Sequence, residues 1–225
     1  MTRTTLWTAL SLAAAATALA CSDLLPPTRL ISYDWRLIVP YDSAGQTYVD
    51  TLSFHWPRTS IPVRIWVEDQ FDLPTRVQEG IALWRPIFIY GEWNAVLVND
   101  SNQADVIVRA IQPPPTGFSR AARVHAMARS CFGATDVDTG ATRFQLQIPI
   151  HSYIFPSLPN APDILQCMRI VAAHELGHSL GILEESPDSL DLMFSNPTVD
   201  YLSGNDTAAA INAYHYPAAM VPVWR

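Results

Sequence analysis

The spacing of apolar residues along the chain predicts a helix in its first half. Between residues 72 and 85 the apolar side chains recur every three or four positions, and Phe88 extends the series: Leu73, Val77, Ile81 and Trp84. Asp72 and Pro74 are typical of a first helical turn, and Pro86 limits the helix to about Arg85. We interpret this stripe as part of the core rather than a binding face.

Two more helices are predicted in the second half. A long one begins at Asn160 or Asp163 and ends at Gly181, a natural helix stop. The last one covers 203–214 and opens with Ser-Gly-Asn-Asp, which suits a capping box. A tight turn at 190–194 lies between them.

Apolar runs with alternating or β-branched residues predict the strands, which are expected at 52–67, 87–98 with a turn near Gly91, 104–111, 123–130 and 143–150. A turn-rich loop is expected at 133–140, and 35–48 shows no clear element. No internal repeat or low-complexity tract is present. At 225 residues the chain is long enough for one domain with a sizeable core, or for two compact lobes.

The first 20 residues have the pattern of a signal peptide. Arg3 is followed by a short apolar run that ends in Ala18-Leu19-Ala20-Cys21, too short to span a bilayer in the mature protein. Cleavage after Ala20 would give a secreted protein, whereas a small residue before Cys21 also resembles a lipobox, in which Cys21 is lipidated. We favour the lipid anchor in a bacterial envelope, because a polar, proline-containing stretch follows like a spacer. The expected division is therefore 1–20 signal peptide, 21–50 spacer and N-terminal segment, and 51–225 folded domain.

The net charge and the cysteine content bear on the partners of the protein and on its disulfide bonding. The net charge is −7 and the chain has no lysine, which argues against nucleic acid as a partner. Apart from Cys21 there are two cysteines, Cys131 and Cys167, and an even pair in an exported protein predicts a disulfide. Cys167 is unsuited to a metal shared with His174, because seven helical residues separate them by roughly 10 Å.

The most informative pattern is A-A-H-E-L-G-H-S-L-G-I-L-E-E. His174 and His178 are four residues apart, so one helical face carries both imidazoles and can hold one Zn²⁺. Glu175, beside the first histidine, can take a proton from a metal-activated water. An acidic pair, Glu184 and Glu185, follows where a third ligand is needed.

This stretch, followed by S-P-D-S-L-D-L-M-F, resembles the metzincin clan of zinc peptidases, within its matrixin-like branch. The resemblance is specific over about 25 residues, from 170 to 194. It implies that 51–225 is a two-lobed, matrixin-like catalytic domain with an α+β fold: a twisted mixed, mostly parallel sheet with two helices, the zinc helix, a Met-turn at Met193 and a C-terminal helix. It also implies one catalytic zinc ion and hydrolysis of peptide bonds, with Glu175 as general base. The family's third ligand is normally histidine, which this sequence lacks at that position.

Two glutamates compete for that third position. Counting ten residues from His174 selects Glu184, whereas counting eight residues back from Met193 selects Glu185. We predict Glu185, because Glu185-Ser186 also aligns with the family's His-Ser. The alternative leaves both glutamates in a solvated turn, with the zinc ion held by two histidines and water.

The resemblance also suggests how a substrate binds. A protein or peptide would lie extended along an exposed edge strand, expected at 123–130. His125 on that strand resembles a ligand of a second, structural metal, but no partner ligands are recognisable, so we interpret it as a polar strand residue. We expect a monomer. A catalytically inactive module that binds peptides or partners, and a zinc hydrolase of other substrates, remain alternatives.

Overall fold

The computed structural model describes residues 31–111, 130–139 and 144–224. Its elements follow in the order β1 (Leu37–Ser43), β2 (Gln46–Leu52), β3 (Val63–Val67), α1 (Leu73–Trp84), β4 (Ala95–Val98), β5 (Val106–Arg109), β6 (Phe132–Asp136), β7 (Gln145–Ile148), β8 (Ile150–Phe155), α2 (Ile164–Leu180), α3 (Gly204–His215) and β9 (Val221–Trp224). The signal segment, Cys21, His125 and all but the last residue of the predicted edge strand at 123–130 lie outside this part of the chain.

The central sheet has five strands in the order β4-β3-β5-β8-β6. β3 is parallel to β4 and β5, and β5 is parallel to β8, whereas β6 runs antiparallel to β8. Two small sheets accompany it, an antiparallel β1–β2 hairpin and a parallel β7–β9 pair. The expected α+β class with a mixed, mostly parallel sheet is confirmed.

The helices agree with the sequence pattern. The stripe Leu73, Val77, Ile81 and Trp84 is fully buried, which confirms that it belongs to the core. α1 packs against α2, and the Trp84 indole donates a hydrogen bond of 2.7 Å to the Ala173 carbonyl. The predicted long helix is α2, with Asp163 at its N-cap position and Gly181 at its end. Gly181 is required there, because its φ is 131° and a Cβ would lie 2.4 Å from the Phe54 carbonyl oxygen.

Several predicted strands were wrong in extent. The run at 52–67 is not one strand but the end of β2 and the whole of β3, because Pro57 and Pro62 lack the N–H that a continuous ladder needs. The run at 143–150 is divided between β7 and β8 at Pro149 for the same reason. Within 87–98 the turn near Gly91 is present, but only β4 is a strand, and Ile89 and Tyr90 before it are exposed, so no core holds that segment extended.

The predicted loop at 133–140 was also wrong over its first half, because β6 occupies 132–136. Gly133 and Ala134 within it are small and buried, and pairing with β8 outweighs their weak intrinsic strand propensity. The hairpin β1–β2 lies where the sequence showed no clear element. Its two-residue turn, Ala44-Gly45, has positive φ at both positions, as such turns require. None of the described helices is long and apolar enough to cross a bilayer.

Candidate metal centre

The two histidines of α2 lie in the interior and face each other across one helical turn. His174 is 0% and His178 6% exposed, and their Nε2 atoms are 3.0 Å apart. Two tryptophans fix this part of the helix by donating to its main chain, Trp84 to Ala173 and Trp56 to Ser179. The imidazoles are therefore carried by a backbone with little freedom to shift.

The outer nitrogen of each ring is bound to a main-chain carbonyl. His174 Nδ1 lies 2.8 Å from the Leu192 oxygen, and His178 Nδ1 lies 2.7 Å from the Ile182 oxygen. A carbonyl oxygen can only accept, so both Nδ1 atoms carry the hydrogen and donate it. This tautomer turns the Nε2 lone pairs inward, which is the arrangement that second-shell carbonyls impose on histidine metal ligands.

Glu185 completes the group. Its Oε1 lies 3.3 Å from His178 Nε2 and its Oε2 lies 3.6 Å from His174 Nε2, with the side chain 9% exposed. Glu184 points elsewhere and accepts a hydrogen bond of 3.3 Å from the Ile38 N–H at the start of β1. The main chain just before Glu185 is bound to an earlier part of the protein, because the N–H groups of Leu183 and Glu184 donate to the Trp35 carbonyl.

The charges of this group are strongly coupled. Burial alone raises the pKa of the Glu185 carboxyl, but the imidazoles of His174 and His178 outweigh it and hold that pKa far below its usual range. Burial by itself lowers the pKa of the His174 imidazole, but the Glu185 carboxylate outweighs burial and raises that pKa to about 9. The buried Glu185 carboxylate thus favours a positive charge beside it, either a proton on His174 or a bound cation in its place.

The distances also suit a zinc ion. Bonds of about 2.0–2.1 Å at tetrahedral angles place ligand atoms about 3.3 Å apart. The separations among His174 Nε2, His178 Nε2 and the Glu185 oxygens are 3.0, 3.3 and 3.6 Å, close to that value. Two imidazoles and one carboxylate also form a donor set used by hydrolytic zinc sites. These residues therefore fit the ion that the sequence motif implies.

Glu175 is a second buried carboxylate beside this group. It is 1% exposed, and its Oε2 accepts a hydrogen bond of 2.7 Å from the Thr135 hydroxyl on β6. One of its oxygens and one ring nitrogen of each histidine lie within 4.8 Å of one another, so Glu175 could itself approach a metal. As a third ligand Glu185 is the better placed of the two, because its two oxygens lie near both Nε2 atoms, whereas Glu175 is held by β6. Burial, the largest influence, raises the pKa of Glu175.

The turn beneath the histidines contains Met193. Its side chain is buried and packs against Gly177, where an added Cβ would meet the sulfur at 2.3 Å. The main-chain N–H groups of Leu192 and Met193 both donate to the carboxylate of Asp206, at 2.8 and 3.0 Å. Asp206 thus fixes the turn whose Leu192 carbonyl binds His174.

Two residues of this site were not singled out by the sequence. Asp206 was recognised only as a helix-capping residue, a role it does have through Ser203. Its spacing from Met193 carries no signal that it also binds the turn. Thr135 lies in a segment expected to be a loop, so nothing in the sequence suggested that it contacts Glu175.

The predicted disulfide is present between Cys131 and Cys167, with 5.9 Å between their Cα atoms. Both cysteines are buried. The bridge joins the residue before β6 to the first turn of α2, and so connects the strand that carries Thr135 to the helix that carries the histidines.

The chain matches no protein-family model and no curated protein, so the interpretation of this centre depends on its own residues.

Proposed function

We propose that the chain is a zinc-dependent endopeptidase of the matrixin-like metzincin type, which hydrolyses peptide bonds in exported or envelope proteins. The observation that carries this proposal is the convergence of His174, His178 and Glu185 on one buried point, with Glu175 beside them. His174, His178 and Glu185 would hold the metal.

A bound zinc ion makes a water easier to deprotonate and polarises a substrate carbonyl. Glu175 accepts the proton of the attacking water and returns it to the leaving amine. Its burial supports this role, because burial raises the pKa of Glu175 and so makes its carboxylate a stronger proton acceptor. His174 and His178 keep their orientation through the Leu192 and Ile182 carbonyls.

The order of elements also supports the metzincin assignment. A strand and helix, further strands, the long α2, a turn with a buried methionine and a last helix are what that clan is expected to have. Among the described strands, β6 lies at one end of the central sheet and touches Glu175 through Thr135. An extended peptide bound along that end would have its scissile bond close to the metal site.

Glu175→Gln provides the test of this function. The variant should retain zinc and thermal stability, because Glu175 is not a ligand in this proposal, and should lose about two to four orders of magnitude in the rate of casein cleavage. Zinc content by atomic emission and cleavage of unfolded casein are measured side by side. A wild-type protein that binds zinc but cleaves nothing would favour the inactive peptide-binding module, and full activity in Glu175→Gln would refute the general-base role.

We further propose export with a lipid anchor on Cys21, supported by the A-L-A-C pattern. Intact mass of protein extracted from the native envelope should show a mature chain that starts at Cys21 with attached lipid. A chain of unmodified mass in the medium would instead indicate simple secretion.

A further inference from the structure

A single stripe of contacts joins β6 and the segment before it to α2. Cys131, Gly133 and Thr135 alternate along the strand and so face the helix together. Each has a partner there: Cys131 is bonded to Cys167, the space beside Gly133 is filled by Val171 and Glu175, and Thr135 binds Glu175.

The two elements match in repeat as well as in position. The partners on α2, residues 167, 171 and 175, are four residues apart, which corresponds to about 6.0 Å along a helix. Two residues of a strand advance by about 6.6 Å. Because these steps nearly coincide, three successive contacts stay in register, and the disulfide at one end fixes where Thr135 meets Glu175 at the other.

Gly133 allows this close approach. A Cβ at that position would lie 2.2 Å from Glu175 Oε1 and 2.5 Å from Val171 Cγ1, so no larger residue fits without displacing the Glu175 carboxylate. The strand therefore forms a wall against one side of this carboxylate.

Hydrogen bonds orient the carboxylate against that wall. Thr135 Oγ1 is 2.7 Å from Glu175 Oε2, 3.4 Å from the Glu175 carbonyl oxygen and 2.9 Å from Ser152 Oγ on β8. All three residues are buried. An ionised carboxylate only accepts, and a threonine hydroxyl has one hydrogen, so Thr135 donates to Glu175 while Ser152 donates to Thr135.

We propose that Thr135 is a positioning residue for Glu175, kept in register by the Cys131–Cys167 bridge and oriented by Ser152. Holding Oε2 fixes the plane of the carboxylate and thereby the direction of Oε1. This inference rests on the proposed function, in which Glu175 accepts the proton of the attacking water. Thr135 itself touches neither substrate nor metal in this role.

Three variants test this role. Thr135→Val removes the hydroxyl and keeps the shape of the side chain, whereas Thr135→Ser keeps the hydroxyl. Thr75→Val is the control, since it makes the same chemical change at an exposed hydroxyl near the start of α1. Zinc content, thermal unfolding, and kcat and KM on a fluorogenic casein-derived peptide are measured for each. Thr135→Val should keep its zinc and a KM within about twofold of the wild type, while kcat falls about tenfold to a hundredfold, as expected for a misdirected reacting group. The kcat of Thr135→Ser should lie within about threefold of the wild-type value, and Thr75→Val should match the wild type in kcat and KM.

A wild-type kcat in Thr135→Val would overturn the proposal. Equal losses in the Val and Ser variants, together with a lower unfolding temperature, would also overturn it by showing a purely structural role. Crystal structures of the wild type and both variants separate this inference from the proposed function. If the wild type has no Glu175-dependent hydrolysis, the proposed function fails. The orientation of the Glu175 carboxylate in the crystal structures then still decides whether Thr135 positions it. The positioning role is refuted if the Glu175 carboxylate keeps its single wild-type orientation in Thr135→Val. It is supported if the carboxylate takes several orientations in Thr135→Val and one in Thr135→Ser.

Discussion

Glu184 and Glu185 are adjacent in sequence, but the fold turns their carboxylates toward different partners. Glu185 bridges the two histidines, whereas Glu184 accepts from the Ile38 N–H of the hairpin. The chain turns after Gly181, and the Leu183 and Glu184 N–H groups are bound to the Trp35 carbonyl. This anchoring decides which of the two glutamates faces His174 and His178, a question on which the two ways of counting along the sequence disagreed.

The pair supplies a matched comparison for zinc binding. Glu185→Ala should weaken zinc affinity by more than about a hundredfold, because loss of a ligand exceeds the 10–100-fold typical of an outer hydrogen-bond partner. Glu184→Ala should stay within about threefold of the wild type, with a loss of about 1 kcal/mol in stability from the Ile38 hydrogen bond. Competition with a chromogenic zinc chelator measures both variants. The opposite ranking would assign the ligand role to Glu184.

At the level of elements, the turn beneath the histidines depends on a helix that follows it. Asp206, in the first turn of α3, is 0% exposed and accepts from the N–H groups of Leu192, Met193 and Ser203. Since the Leu192 carbonyl holds His174 Nδ1, the start of α3 is connected through two hydrogen bonds to His174, a proposed zinc ligand.

Asp206→Ala should therefore affect both stability and zinc binding. It leaves three main-chain donors without this acceptor, so we expect a loss of about 2–4 kcal/mol in unfolding free energy. It should also weaken zinc affinity about tenfold, as expected for an outer partner of a ligand histidine. Asp188→Ala is the control, because Asp188 lies in the same turn region and its carboxylate accepts from the Leu190 N–H rather than from Leu192 or Met193. Denaturant unfolding of the zinc-free protein separates the two effects, and unchanged zinc affinity would contradict the coupling.

The helices could be predicted from sequence because their signals are local. The α1 stripe, the stop at Gly181 and the Ser203–Asp206 capping box all lie within one or two turns of the residues they organise. The strands could not be delimited in the same way, because prolines interrupt apolar runs and pairing depends on distant partners. β6 is the clearest case: Gly133 and Ala134 indicate a turn locally, and pairing with β8 and packing on α2 make them part of a strand.

The residues of the candidate site divide in the same way, into those with a local sequence signal and those placed by distant contacts. His174, Glu175, His178 and the acidic pair form a motif that can be read within one helix and the turn after it. Their supports come from far away in sequence: Thr135, Trp84 and Asp206 reach the site only through tertiary packing. No spacing rule could have identified them.

Across the whole molecule, Asp105 connects the central sheet to the last strand. Its carboxylate is 2% exposed and accepts from the Arg64 main chain and guanidinium on β3, and from the Trp224 indole on β9. Burial by itself raises the pKa of Asp105, but the hydrogen bonds from Arg64, together with that from Trp224, outweigh burial and hold the pKa below its usual value.

Because the pKa of Asp105 is lower in the folded than in the unfolded chain, its contribution to stability is present above the ordinary aspartate range and is lost as the pH falls through the folded value. Asp105→Asn should therefore cost about 1–3 kcal/mol near neutral pH, and the difference from the wild type should shrink as the pH falls below about 4. Asp69→Asn makes the same change at an exposed carboxyl and should leave stability nearly unchanged. Urea unfolding of the three proteins from pH 7 down to pH 3 measures the trend. A difference between Asp105→Asn and the wild type that is constant over this range would mean that neutral hydrogen bonds, and not the charge of Asp105, hold the last strand to the sheet.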